Sequence, residues 1–280
     1  NQPVSKGDMR TNDMVEYVIV LALSIITYLN AIPADFVFDD TAAIQANPDI
    51  VEGTSISSLL RNDFWGTPIG SRFSHQSYRP ITVLSFRLDY EIWGELSREQ
   101  FHFTNVILHA VASCTFLRLC RRFVFETSSS HLSIMSALLF ATHPVHVEAV
   151  TGLVGRAEVL CAIFFMISIE CHARACRASV SSSNPWIRNV VFMFLCIISS
   201  CLALLSKEIG ITSLGVSFAY VVVSENMTSI HITRRLQHPT DTTCLHIWTF
   251  EFQSPASKLE DEMTSFVLRF VFSRCVLQLR

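Results

Sequence analysis

Val15 to Asp40 reads VEYVIVLALSIITYLNAIPADFVFDD, and the order of its two parts sets the class of protein. As far as about Pro33 the run carries a single charge, Glu16, and is close to the roughly 20 apolar residues that a bilayer core demands. The acidic pair Asp39 and Asp40 follows within a few residues and opens a long polar segment. Carboxylates are costly to hold close to lipid, and two adjacent ones repel each other. Chemistry is therefore expected at this pair before packing is.

Composition agrees. Half of the 280 residues are apolar and 16% are charged, more apolar than a soluble domain. The fold class expected is an all-α polytopic membrane protein. A net charge of -3 without a basic run gives nucleic acid nothing to bind. Of nine cysteines, Cys114, Cys161, Cys171, Cys196 and Cys201 lie in apolar runs, where reduced thiols behave as small hydrophobes. No paired CxxC spacing of a metal site is present. The start of the chain shows no short cleavable leader, so the first apolar run is read as an uncleaved anchor that takes the chain into the secretory pathway.

Six spans are expected, near 15–33, 103–124, 131–143, 157–171, 189–206 and 209–223, although the third, fourth and sixth are short. In that arrangement Lys6 and Arg10, the trio Arg118, Arg121 and Arg122, then Arg174, Arg177 and Arg188, and finally Arg234 and Arg235 all share one side. Positive charge collects on the cytosolic face, which makes residues 1–14 a cytosolic N-terminus. The opposite face receives the loop 34–100, the turn 144–156 and the corner at Lys207 and Glu208. The loop is too rich in aromatics (Phe36, Phe38, Phe64, Trp65, Phe73 and Trp93) to be a linker. Ser57–Arg61 and Ile81–Ile92 have helix-compatible patterns, so short helices lying along the membrane surface are expected.

Four strings on that face are long enough to be distinctive: FVFDDTAAIQANPDI from Phe36, SYRPITVLSFRLDY from Ser77, HPVHVEAVTGLVGRAEVL from His143 and SKEIGIT from Ser206. With FHFTNVILHA from Phe101, they resemble the N-terminal membrane part of the transmembrane and tetratricopeptide-repeat (TMTC) proteins, O-mannosyltransferases of the GT-C class. The resemblance runs from about Val15 to Val223. It implies a GT-C-like helical bundle in the endoplasmic reticulum membrane, with dolichyl-phosphate mannose as the lipid-linked donor. Ser and Thr of secretory-pathway proteins such as cadherins are the implied acceptors. It also implies that the first luminal loop carries the catalytic acids, at positions matching Asp39 and Asp40.

The chemistry fits these residue types. A hydroxyl needs a carboxylate within hydrogen-bond reach to take its proton as it attacks the sugar. A second carboxylate can stabilise the oxocarbenium-like state or orient substrate. The structural alternative is that Asp39 caps a helix starting near Thr41, with Asp40 in its first turn. The departing lipid phosphate calls for cations, and Arg79, Arg156 and Lys207 are the candidates; their alternative is headgroup contact or pairing with Glu158 or Glu208. Glu208 itself is counted among the substrate-facing groups. His143, His146 and Glu148 form an H-x-x-H-x-E spacing that fits hydrogen bonding to substrate better than the i, i+4 histidines of helical zinc sites; a purely structural histidine at the span boundary is the alternative. No cofactor is expected, and a divalent cation is the weaker alternative. Gly152, Gly155 and Gly210 match no phosphate-loop pattern and are read as turn residues.

After about Val223 the resemblance stops. Residues 224–280 show no 34-residue repeat period and end in SFVLRFVFSRCVLQLR, read as an interfacial helix. An Asn226-Met-Thr sequon falls on the cytosolic side of the six-span arrangement, where it would stay unmodified. The rival to an enzyme is a non-catalytic or truncated membrane protein that retains only part of the glycosyltransferase module. A transporter would need more ionisable residues inside paired spans.

Overall fold

The computed structural model describes residues 6–51, 54–125, 130–177 and 185–220. The tail 224–280, its sequon and residues 221–223 of the sixth expected span lie outside them. Every regular element among the described residues is helical, as expected of an all-α membrane protein.

Helix α1 (Lys6–Tyr28) runs through the opening apolar segment. The polar loop after it builds three short helices, α2 (Pro48–Val51), α3 (Ile56–Leu59) and α4 (Pro80–Trp93). Longer α5 (Arg98–Leu119), α6 (Ser130–Thr142), a one-turn α7 (Val147–Thr151), α8 (Arg156–Arg177) and α9 (Pro185–Ser206) complete the chain. A 3-10 turn, Glu208–Ile211, and a helical stretch over 212–220 follow. Helix α1 packs on α5 and α6, α5 on α8, and α8 on α9.

Among the described residues, three helical segments are long and apolar enough to cross a bilayer: Asp13–Ala31, Arg98–Val124 and Ile187–Ser206. A fourth, Pro144–Thr151 with Leu153–Cys176, passes only as a pair bent by 105°. The 13 residues of α6 reach about 20 Å, less than a hydrocarbon core. Lipid-compatible surface is plain on α1 and α9, where Val18, Ile26, Phe194 and Ile197 are each more than half exposed. The bundle interior gathers Tyr28, Val106, Leu119, Val159, Ile163 and Met166.

The loop builds a second core, in which Ile44, Ile50, Leu59, Phe64, Val83 and Phe86 pack with Phe101 of α5 and Leu153 of the turn before α8. Carboxylates knit its backbone. Asp63 accepts from the N–H groups of Trp65, Thr67 and His75 and from the Ser74 hydroxyl, at 2.7–3.1 Å. Asp49 holds Thr54 and Asn62. Ser55 caps α3 by accepting from Ser58 N–H, and α4 starts on Pro80 and stops at Gly94, whose φ of 74° suits a residue without a side chain. The helix expected near 57–61 starts one residue earlier and stops at Leu59, and the one expected over 81–92 lies within Pro80–Trp93.

The decisive join is Arg156, fully buried at the start of α8. Its Nη1 reaches Asp89 Oδ2 on α4 at 2.6 Å, its Nε reaches Asn105 Oδ1 on α5 at 2.6 Å, and its Nη2 donates to the Phe101 carbonyl at 2.8 Å. Phe86 stacks on the guanidinium, 4.5 Å from Cζ to ring centre. Loop and bundle are one folding unit through this residue. At the far side of α9, a methyl on Gly210 would overlap the backbone of Ala203, so only glycine lets the 208–211 turn fold back on that helix.

Candidate active site at one end of the bundle

The acidic pair divides. Asp39 is exposed, and among the described residues no donor is aimed at its carboxylate. Asp40 is 1% exposed; its Oδ2 accepts from Val37 N–H and its Oδ1 from Val154 N–H, both at 3.1 Å. Burial raises the Asp40 carboxyl above its ordinary value, and the two N–H donors only partly offset this. Neither aspartate caps a helix with its side chain. The chain instead enters a π-helical turn, Thr41–Gln45, in which Ala46 N–H returns to Thr41 O. Asp40 is therefore a clasp between the 37–40 turn and the 153–155 turn, and Asp39 is the carboxylate offered outward. Phe38 stands beside it, 95% exposed, at a φ of 47° that costs a non-glycine residue conformational energy.

The three proposed phosphate ligands also divide. Arg79, just before α4, clamps Glu208 with Nε at 3.1 Å from Oε1 and Nη2 at 3.0 Å from Oε2, its guanidinium resting 5.1 Å from the centre of the Phe64 ring. Lys207 Nζ lies 2.5 Å from Glu158 Oε1. These are the pairings that the sequence offered as alternatives, and they are formed. Lys207 and Glu208 are adjacent in the chain, so the two pairs constitute one cluster. Thr82 Oγ1 ties it down by donating to Ser206 O at 2.9 Å. Arg156 does not belong to it. Its donors are spent on Asp89, Asn105 and backbone carbonyls in a site closed to solvent, and the expectation that it holds phosphate is corrected on that ground.

His143 Nδ1 accepts from Val145 N–H at 3.2 Å and caps the turn Pro144–His146. His146 packs against Phe140 at 4.4 Å between ring centres, the rings tilted by 51°, and lies 5.5 Å from the His109 ring, which makes it a packing residue of the α5–α6 junction. Glu148 is exposed in the first turn of α7. The histidine-containing string is thus spread over a cap, a packed ring and an exposed surface. Among the described residues no three His, Cys, Asp or Glu side chains converge as metal ligands would.

The sequence reading overlooked Asp89 and Asn105, the partners that make Arg156 structural. Asn105 is a polar position in a largely apolar helical stretch, a placement that calls for a buried partner, whereas Asp89, between Arg87 and Glu91, carries no such signal.

Comparison with known proteins bears on this end of the molecule. The chain is 40% identical over 217 residues to the mouse protein O-mannosyl-transferase TMTC3, covering 78% of this chain and 22% of the relative. It is 39% identical over 211 residues to tmtc2 of Xenopus laevis, covering 75% of this chain, and 35% identical over 235 residues to human TMTC4, covering 79%. The chain belongs to the TMTC family. It spans about a quarter of the length of these relatives. No protein-family model matches it, and no solved structure does. Within the TMTC frame, the cluster from Arg79 to Glu208 and the clasp at Asp40 are both built on elements that meet the N-terminal turn of α8.

Proposed function

We propose that this TMTC chain transfers mannose from dolichyl-phosphate mannose to Ser or Thr hydroxyls of secretory-pathway proteins, cadherins among them, at the luminal face of the endoplasmic reticulum membrane with its N-terminus in the cytosol. The observation that carries the reading is the exposed, unengaged Asp39, held on a turn that buried Asp40 fixes to the start of α8.

Asp39 is the base in this reading. Its carboxylate accepts the acceptor hydroxyl's proton while the oxygen bonds to the anomeric carbon and the bond to the donor phosphate breaks. Asp40 does not touch the reacting atoms; it positions the turn. The phosphate that leaves with the lipid develops negative charge, and Arg79 and Lys207 supply the positive field at that end. Both already bind carboxylates, so the phosphate would exchange for Glu208 and Glu158 on preformed cation positions.

The test is mannose transfer to a cadherin-domain acceptor in membranes from cells lacking the family. The chain is compared with its Asp39→Asn and Asp40→Asn variants. Transfer lost with Asp39→Asn in a normally inserted protein is the expected result. Equal transfer by the chain and both variants refutes the assignment.

A further inference from the structure

Phe36, Val37 and Phe38 lead into the turn that carries Asp39. Phe36 points inward, edge-on to Phe101 at 6.1 Å between ring centres, and packs on the loop core. Phe38 does the reverse. It is almost wholly exposed and holds a φ of 47°, in the left-handed region that glycine and asparagine tolerate far better than a bulky side chain.

Two costs coincide at this position: backbone strain, and a phenyl ring in water that gains none of the burial by which an aromatic normally stabilises a fold. The strain persists because hydrogen bonds fix the turn on both sides of residue 38. Asp40 N–H donates to Val37 O at 3.0 Å and Thr41 N–H to Phe38 O at 3.4 Å, while the Asp40 carboxylate binds the N–H groups of Val37 and Val154. A ring held outward in this way is a contact surface for something that the described fold does not supply.

The place of the turn narrows the occupant. It follows shortly after the span Asp13–Ala31 ends, and through Val154 it is tied to the stretch where the bent pair Pro144–Thr151 and Leu153–Cys176 changes direction. Phe38 therefore stands close to the membrane surface and beside Asp39. A lipid-linked sugar carries its phosphate at that level and its sugar ring next to it, whereas a protein acceptor arrives from the aqueous side. A phenyl ring has nothing to offer a phosphate or a hydroxyl, but its face packs well against the C–H groups that a hexopyranose presents on one side.

We propose that Phe38 is the platform for the sugar of the lipid-linked donor, its ring packed against the C–H face of the hexose while Asp39 is left open to the incoming hydroxyl. This rests on the donor assignment made under the proposed function, and it makes Phe38 a sugar-binding residue that the fold itself does not need.

The full chain, purified in detergent, is titrated by calorimetry with a short-chain polyprenyl phosphomannose and with the matching polyprenyl methyl phosphate, which has the same charge and no sugar. Wild type, Phe38→Asn and Phe38→Trp are compared. Asparagine accepts a positive φ, so the Tm of Phe38→Asn is expected not to fall. Wild type is expected to prefer the mannosylated lipid. Phe38→Asn should reduce that preference about three- to tenfold, the value of one aromatic contact, and bind the methyl ester as before; Phe38→Trp should keep the preference. In membranes Phe38→Asn should raise KM for the donor and leave KM for the protein acceptor unchanged. Equal weakening of both lipids would assign the ring to the isoprenoid tail, and a raised acceptor KM alone would assign it to the protein. Either result overturns the proposal, as does a wild type without preference or a lowered Tm in Phe38→Asn. The binding arm needs no transfer, so a Phe38-dependent preference in a chain whose transfer is indifferent to Asp39→Asn keeps the platform and removes the base.

Discussion

The guanidinium of Arg79 and the carboxylate of Glu208, 129 residues apart, meet as a fork on a fork. A phosphate offers a guanidinium the same two-oxygen geometry, so the pair marks where an anionic leaving group can be received. Arg79→Gln is expected to lower kcat/KM for the lipid-linked donor by about ten- to a hundredfold, the value of a charged hydrogen-bond pair. Glu208→Gln should cost less, because it removes only the placeholder. Transfer kinetics at varied donor concentration decide; a larger loss from Glu208→Gln than from Arg79→Gln contradicts the exchange.

The same pair sets a pH dependence. Burial acts to raise the Glu208 carboxyl, but the hydrogen bonds and charge of Arg79 prevail and hold it below its ordinary value of 4.5. A carboxyl depressed in the folded state contributes stability that is complete above its unfolded pKa and is lost as pH falls through the lower folded one. The Tm advantage of the wild type over Glu208→Gln should thus persist from neutrality down to about pH 4.5 and disappear below it. Because the side chain is half exposed, solvent screening keeps that advantage small. An advantage that grows on acidification would reverse the sign of the argument.

The two aspartates should separate experimentally. Asp39→Asn is expected to abolish about 99% or more of transfer, the range of a lost general base, with unchanged Tm. Asp40→Ala leaves the Val37 and Val154 N–H groups without their acceptor and should cost about 1–3 kcal/mol of stability. Thermal unfolding and transfer assays on the two proteins read out the division directly. An unstable Asp39→Asn or a fully stable Asp40→Ala would exchange their roles.

Arg156 is expected to behave as a keystone. Arg156→Met leaves Asp89 buried without its cation and should destabilise by about 3–5 kcal/mol, enough to remove most folded protein. Adding Asp89→Leu should recover part of that loss, since the uncompensated charge is then gone. Protease resistance of the loop in membranes measures both. Failure of the double variant to improve on the single one would mean that the contacts to Asn105 and Phe101 dominate.

Orientation is open to direct test. A sequon introduced at 70–72, in the exposed turn before Phe73, is expected to be glycosylated in cells, while Asn226 is not. Mass shifts on glycosidase treatment report both sites. Modification at Asn226 alone would invert the proposed sidedness.

Much of this was legible before any coordinates. The charge-poor run from Val15, the aromatic loop after it and the Lys207–Glu208 corner each carry a local signal, as does the helical pattern over 81–92. The roles within the site were not legible. Whether Asp39 or Asp40 faces solvent depends on which one meets the Val154 amide, 114 residues after Asp40, and no local pattern encodes that. Arg156 read as a phosphate ligand because an arginine on that face is ordinarily solvated; Asp89 and Asn105, far apart in sequence, decide otherwise. His143 and His146 looked like a pair because they are close in sequence, yet one caps a turn and the other packs between aromatic rings of the bundle.

The burial of Arg156 against Asp89 also imposes an order on biosynthesis. Asp89 is made 67 residues before its partner, an interval of about 3–13 seconds at a ribosomal rate of 5–20 residues per second. During that time the loop has left the ribosome with an uncompensated acid in its prospective interior. The part of the molecule that carries Asp39 is thus translated early and completed late, when α8 arrives to close it. A ribosomal pause between the codons for Asp89 and Arg156 would prolong the exposure of this segment to quality-control factors, whereas a pause after Arg156 would not.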